Sequence, residues 1–444
     1  MTTLIETETA DITAELAAAN QAFMQTYPGE SDRRQAVHTV YGGAHLFTAD
    51  APQKLGGVAL RSLQEYAPNA ASLAAILGEN WSPAFAEKIY ARIIEKLGRE
   101  PVEDFRLDFE DGYGNRTDAE EDGHARTSAE QVAQGLAKGK LPPFIGIRVK
   151  PFNEDLRARS LRTLDIFVST LVEKTGGILP PNFVITLPKV QIAAQVTAAA
   201  KLCALLEAKL ALANGALRLE IMIETPQSVI DRHGTCPLLR FIEAAEGRCG
   251  SLHFGVYDYT ASSGITAAYQ AMGHPACDFA RSHMIVALAG TGIHLSDGAT
   301  NILPVGPHRG ELTPQQTQEN YAAVHGAWKM AYRDNWHSLR NGIYQGWDLH
   351  PAQFVVRYAA VYAFFLQGLE AASGRLRAFV EKAALASLFG DVFDDAATGQ
   401  GLLNFFLRGI ACGAITEEEA LETGLTLEEI RSRSFYRILA ARRK

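Results

Sequence analysis

The sequence predicts an α/β protein: a closed (β/α)8 or TIM barrel, with a helical leader before it and a helical extension after it. Three observations point there. Five short apolar runs begin near residues 104, 144, 183, 217 and 251, a spacing of 34 to 40 residues, which is the length of one strand, one helix and their connections. Ala-rich helical patterns such as 191–213 fill the intervals, so strand and helix alternate as in a parallel sheet. Charged residues collect where each apolar run stops, and eight-stranded barrels carry their chemistry at the C-terminal ends of their strands. A doubly wound sheet is the competing arrangement, but no G-x-G-x-x-G follows the first strand.

Taken in order, residues 1–35 read as the leader, because Ala, Leu and Glu dominate 12–24 and Tyr27-Pro28-Gly29 ends the run. The barrel spans 36–353. Its first strand and a glycine-containing loop fall in His38–Phe47, and a helical region follows from about 53 to 97, broken near Pro68 and Pro83. Phe105–Phe109 is the second strand, Phe144–Lys150 the third and Phe183–Leu187 the fourth, stopped by Pro188-Lys189. The fifth lies in Leu217–Gln227, where Leu219, Ile221 and Ile223 alternate with Glu220 and Met222 before Glu224-Thr225-Pro226 ends the run. Ser251–Asp258 holds the sixth. The seventh is placed between Met284 and Leu295, and the eighth between Ile343 and Leu349. From 354 to 444 the pattern is wholly helical, with helices expected at 354–369, 374–388, 400–412 and 416–433.

Composition excludes several classes. The chain of 444 residues is 47% hydrophobic and 21% charged, with a net charge of −8, so the basic patch of a nucleic-acid surface is not expected. No secretory leader and no run of 18 apolar residues is present, which leads us to expect no membrane span and a cytoplasmic protein. Five cysteines without a C-x-x-C fit reduced, packed thiols.

Chemistry is expected where the strands end. Glu224 and Asp258 lie 34 residues apart at the tips of adjacent strands, and parallel neighbours are about 4.8 Å apart. Such a pair can share one hard cation; alternatively, each acid caps the helix that follows it. Asp108, Glu110 and Asp111 close the second strand, although Asp111-Gly112 also suits a plain turn. Arg148 lies inside an apolar strand and needs an anion there: Glu110 or Asp111 in a structural role, or a substrate carboxylate in a functional one. Lys189 is either part of the site or a solvated loop residue. His45 and His350 are either catalytic or hydrogen-bonded structural histidines.

Six segments together carry a resemblance. Asp108-Phe109-Glu110-Asp111 followed by Ala125-Arg126 resembles the D-L-E-D…A-R signature of the citrate lyase β-subunit and malyl-CoA lyase group. Gly146-Ile147-Arg148-Val149 is similar to that group's strand with the carboxylate-binding Arg, and Leu187-Pro188-Lys189 to its L-P-K. Ile223-Glu224-Thr225 and Gly255–Asp258 resemble its two metal-ligand segments, and Gly342–Gln353 its last-strand motif. The group belongs to the HpcH/HpaI aldolase superfamily of barrels, with malate synthase a more distant relative. Three departures stand out. Trp347 replaces the Lys of the last motif, the segment Gly290–Arg309 is longer, and the C-terminal catalytic acid of the CoA-dependent members has no clear counterpart, although Asp391, Asp394 and Asp395 lie in that region.

The resemblance implies a divalent-metal-dependent carbon–carbon lyase of the aldolase type, acting on a 2-oxo acid or related carboxylate through a metal-stabilised enolate. It implies Mg2+ or Mn2+ on Glu224 and Asp258, with Arg148 clamping the carboxylate or the developing enolate oxygen through its planar fork. Glu110 and Asp111 would orient the metal's waters and Arg148, and Lys189 would join the catalytic set. His45 is the candidate base, with hydroxide on the metal as the alternative. A CoA-thioester Claisen lyase or synthase is the second enzymatic reading, and a non-catalytic barrel binding a metal–carboxylate metabolite is the third. A small carboxylate partner and a homo-oligomer are expected.

Overall fold

Eight parallel strands hydrogen-bond in sequence order and the last returns to the first, closing a barrel. The computed structural model describes residues 3, 6–31, 33–381, 387–389, 392–394 and 396–442. The strands are β1 His38–Gly43, β2 Asp104–Asp108, β3 Phe144–Arg148, β4 Phe183–Leu187, β5 Arg218–Ile223, β6 Cys249–Phe254, β7 His294–Ala299 and β8 Gln345–Asp348. Closure is pinned by a buried polar seam between β1 and β8. His38 pairs in register with Gly346, while its Nδ1 contacts Asp348 Oδ2 at 2.8 Å and Arg357 donates to the same carboxylate at 2.9 Å.

The barrel interior departs from the usual layers of Val, Ile and Leu. In its lower half Arg106 reaches across the sheet to Asp104 and Glu220. Thr186 and Ser251 each donate to Glu220 at 2.8 Å, and Thr39 donates to Asp104 at 3.1 Å. Against its burial, Arg106 holds the Glu220 carboxyl well below its ordinary range. Buried charge is tolerable only when paired and hydrogen-bonded, and this tier meets that condition. Apolar side chains instead fill the space between the strands and the surrounding helices. Leu107, Ile145, Ile147, Ile185, Leu219 and Ile221 are all inaccessible there.

The helix Phe354–Glu381 follows β8 and packs against the helices Pro314–Arg340 and Pro83–Arg99. Where 354–388 was expected to form two helices, this one runs unbroken through Gly374 to Glu381, and residues 382–386 lie outside the described set. The expected helix 416–433 is divided into Glu417–Leu421 and Leu427–Arg431, each opened by its own Thr/Glu capping box, with Gly424 at φ +75° between them. The leader forms one helix, Glu6–Thr26.

The seventh strand is corrected. Met284–Leu288 ends the helix Pro275–Leu288, and the strand lies later, at His294–Ala299. Its sequence, HLSDGA, lacks an apolar run because Asp297 is buried in ion pairs with Arg281 at 2.9 Å and accepts from Ser338 at 2.6 Å. Polar anchoring replaces the apolar contacts that mark a strand in sequence. All five cysteines are free thiols. Among the described residues, no helix is long and apolar enough to cross a membrane.

Candidate active site

Every strand-end residue singled out above lies at the C-terminal mouth of the barrel, and most of them touch. Asp108 and Arg148 are register partners on β2 and β3, so their side chains share a face. Arg148 donates from Nε to Asp108 Oδ1 at 2.7 Å and from Nη2 to Oδ2 at 2.6 Å, a fork-to-fork pair. The Asp108 carboxylate also receives the backbone N–H groups of Glu110 at 3.0 Å and Gly112 at 2.7 Å, which shapes the loop after β2. The third guanidinium nitrogen, Nη1, is the one directed at the acids of that loop, 3.1 Å from Glu110 Oε2 and 3.7 Å from Asp111 Oδ2. Beneath it, the guanidinium lies over the rings of Tyr41 and Trp347, at 4.7 and 5.5 Å to the centroids.

This changes two of the sequence expectations. The fork of Arg148 is already engaged, and by Asp108 rather than by Glu110, Asp111 or a substrate. What remains for a substrate is the single edge at Nη1, which it would share with Glu110 Oε2. The signal that could have identified Asp108 is the alternation Asp104, Arg106, Asp108, three charged residues on one face of a short strand.

Lys189 is not a solvated loop lysine. Its backbone is left-handed, φ +51°, a conformation that costs a non-glycine residue on the order of 1 kcal/mol and that clusters at functional sites. In that geometry the Lys189 N–H donates to Glu224 Oε1 at 2.5 Å. Its ammonium pairs with Glu110 and lies 3.2 Å from Asp111 Oδ1 and 3.5 Å from Asp258 Oδ2. One residue therefore joins loops from three strands.

Glu224 follows β5 directly and is 1% exposed. Asp258 does not end β6, as expected, but stands in the first turn of the helix Val256–Ser262, with a side chain 40% exposed. The turn from β6 into that helix requires Gly255, where a Cβ would come within 2.5 Å of both Cβ and Oε2 of Glu224. The close approach leaves the Glu224 carboxylate facing its neighbours.

The mouth thus holds five carboxyl groups, of Asp108, Glu110, Asp111, Glu224 and Asp258, against two cations, Arg148 and Lys189. The proton affinities follow. Burial and then Asp258 push Glu224 up to about 8, against Lys189 and Arg148. Burial, opposed by Arg148 and reinforced by Asp111, raises Glu110 to about 7. Against its burial, Asp111 is held down by a hydrogen bond with Glu110 and by Arg148 and Lys189. Against its burial, Glu224 and Glu110 raise the pKa of Lys189, so its ammonium stays charged. An excess of acids in a partly enclosed site raises carboxyl pKa values unless a further cation enters.

His45 is not brought into this network. It stands on the rim beside the 110–112 turn, its ring 5.4 Å from Tyr113 and 5.8 Å from His124. Its Nδ1 is buried without a partner, and burial, Arg116 and His124 lower its pKa. His350 accepts the Ala352 N–H at 3.2 Å and opens the turn Pro351–Gln353, the structural alternative for that residue. Of the C-terminal acids, Asp391 and Asp395 lie outside the described residues, and Asp394 ends a short strand, Val392–Asp394, paired antiparallel with Ser387–Phe389.

Among the described residues, no three His, Cys, Asp or Glu side chains form a ready-made metal cage. The donors present still fit a hard divalent cation: carboxylate oxygens of Glu224 and Asp258, both acids, one with strongly raised proton affinity. Mg2+ is commonly held by one or two carboxylates, with water and substrate completing the shell.

Comparison with solved structures places the chain beside a citrate lyase from Burkholderia xenovorans LB400, at 16% identity and a TM-score of 0.54, covering 87% of this chain and 95% of that one. The protein CitE from Mycobacterium tuberculosis, in complex with magnesium, acetoacetate and coenzyme A, matches at 16% identity and TM-score 0.46, over 86% of this chain and 100% of that one. A malate synthase from Haloferax volcanii matches at 13% identity and TM-score 0.45, over 91% and 98%. The first shows a shared barrel fold. No curated protein matches by sequence. By sequence, residues 16–438 match one family, and the chain belongs to it: the Domain of unknown function (DUF6986) family.

Proposed function

We propose that this protein is a divalent-metal-dependent carbon–carbon lyase of the aldolase type, acting on a 2-oxo acid or a related carboxylate. The observation that carries the reading is the imbalance at the mouth of the barrel: five carboxyl groups around two cations, with Glu224 and Glu110 raised to about 8 and about 7. Glu224 and Asp258 would hold the cation, Mg2+ or Mn2+, which when bound supplies a Lewis acid for a 2-oxo carbonyl.

The protein's own groups do the rest. Arg148 presents Nη1 to a substrate oxygen that gains negative charge, and its fork on Asp108 keeps that edge in place. Tyr41 and Trp347 close the barrel beneath it and exclude water from below. Glu110, poised near neutrality and bonded to the Lys189 ammonium, is placed to move a proton at the carbon next to the carbonyl, since a general base works best with a pKa near the working pH. In this reading it takes the role first given to His45. Lys189 remains protonated and balances the acids before and after that transfer.

The test needs no knowledge of the full substrate. Pyruvate mixed with protein and Mg2+ in D2O should exchange its methyl protons, followed by NMR; a chelator should stop the exchange and Asp258→Asn should reduce it sharply. Acetyl-CoA is run in parallel, because exchange there alone would favour Claisen chemistry. If several metals and longer oxo acids give no exchange in either arm, the lyase reading fails in favour of a binding protein.

A further inference from the structure

At the opposite, N-terminal end of the barrel a cavity of about 110 Å³ opens between the strand starts, lined in part by Arg33, Arg218 and His294. A second opening of about 300 Å³ adjoins it and is also lined by Arg33 and Arg218. The first space is several times what one water needs. None of the lyase chemistry proposed above uses these residues. Arg218 and Glu224 occupy the two ends of the β5 segment, six residues apart, or about 20 Å along an extended strand.

Among the described residues, the cations here lack the carboxylate partners that the arginines around them have. Arg106, deeper in the same cavity, is matched by Asp104 and Glu220. Arg248 is matched by Glu207 at 2.6 Å, and Arg34 by Glu100 and Glu103. Half-buried Arg218 has no ion pair or hydrogen bond among the described residues, and Arg33 bonds only to Ser31 Oγ, at 3.2 Å. The acids on the cavity floor cannot serve them, because Glu220 and Asp104 are committed to Arg106, Thr186, Ser251 and Thr39. Burial and the neighbouring guanidinia of Arg33 and Arg248 accordingly lower the pKa of Arg218. Beside them, His294 Nε2 is buried with no partner, and burial with Arg408 and Arg33 pushes that imidazole down to about 3, which keeps it neutral and able to donate one N–H.

We infer that this mouth is a binding site for a small oxyanion of phosphate size, held by the guanidinium groups of Arg218 and Arg33 and by His294 Nε2. A guanidinium matches phosphate or carboxylate oxygens in pairs, and the ligand offsets the repulsion between two cations that have no carboxylate partner among the described residues. The site is separate from the mouth that carries Glu224, and its ligand is not the lyase substrate.

The probe is inorganic phosphate, titrated calorimetrically and by thermal shift into the full chain at constant ionic strength with chloride as the balancing anion. Wild-type protein should bind saturably and gain melting temperature. Arg218→Gln should bind at least tenfold more weakly, yet melt no lower than wild type without phosphate, because it loses a repulsive charge rather than a partner. Arg33→Gln, at an exposed position, should also weaken binding, while Glu224→Gln should leave it intact. Acetate replaces phosphate in a parallel arm, to tell a carboxylate site from a phosphate site; either anion, if lost in Arg218→Gln, supports the inference. It is overturned by the absence of saturable binding to wild type, by wild-type affinity in both arginine variants, or by loss of phosphate binding in Glu224→Gln. An Arg218→Gln protein that melts well below wild type without phosphate would likewise assign Arg218 a structural role.

Discussion

Replacing Glu224 with Gln tests whether the fold tolerates a poorly placed charge in order to hold a cation. The carboxyl is 1% exposed and its pKa stands at about 8 in the folded chain, against 4.5 for an ordinary Glu. The folded protein therefore holds this proton more tightly than the unfolded chain does. Stability is lost progressively as pH rises above about 4.5, until the folded group itself ionises near 8; beyond that the cost is constant. At about 1.4 kcal/mol per unit, the cost is on the order of 2 kcal/mol at pH 6 and on the order of 5 kcal/mol at pH 9. Gln carries no such cost, and its amide oxygen can still accept the Lys189 N–H.

Without metal, the advantage of Glu224→Gln over wild type should thus grow by on the order of 3 kcal/mol between pH 6 and pH 9. For 444 residues, an unfolding entropy of about 2.1 cal/mol/K per residue turns this into about 3 °C. Scanning calorimetry in chelator at the two pH values measures it. Added Mg2+ should then stabilise wild type at pH 9, by about 2.7 kcal/mol at a hundred times its dissociation constant, and leave the variant unchanged. A variant that melts below wild type at both pH values, or that gains equally from Mg2+, refutes the reasoning: Glu224 would then be a structural acceptor and not a ligand.

Two further predictions concern the neighbours. Arg148→Lys should lose about 3 kcal/mol of stability, read by denaturant unfolding, because a point charge cannot make both bonds to the buried Asp108 carboxylate; unchanged stability with lost exchange would assign the fork to substrate after all. Gly255→Ala should weaken Mg2+ at least tenfold in a calorimetric titration, since its Cβ would overlap Glu224 at 2.5 Å, whereas Gly98→Ala, with nothing within 4 Å, should have no effect; equal affinities in the two variants would remove the close approach from the argument.

The alternation of strands and helices was legible in the chain because periodicity and punctuation are local. Alternating Leu219, Ile221 and Ile223 define β5, and Pro188 and Pro226 mark where their strands have ended, whatever the rest of the fold does. The positions of Glu110, Arg148, Lys189, Glu224 and Asp258 at one end of the barrel follow from that alternation, since parallel strands all finish on the same side. β7 was misplaced for the converse reason: its buried Asp297 is satisfied by Arg281 and Ser338, both remote in sequence, so no local pattern marks it.

Which charge meets which was decided only by closure. Arg148 needed an anion, and three acids stood within four residues of each other in the chain. The β2–β3 register set Asp108 opposite it and gave the fork to that carboxylate. Lys189 reaches four acids from three loops because its left-handed backbone turns both its N–H and its side chain towards them, which no residue type announces. Arg218 and Arg33, 185 residues apart, became neighbours with no carboxylate partner among the described residues. Composition fixes how many charges a chain carries, but the Coulomb energy of each depends on distances of a few ångströms, and those distances exist only once the barrel has closed.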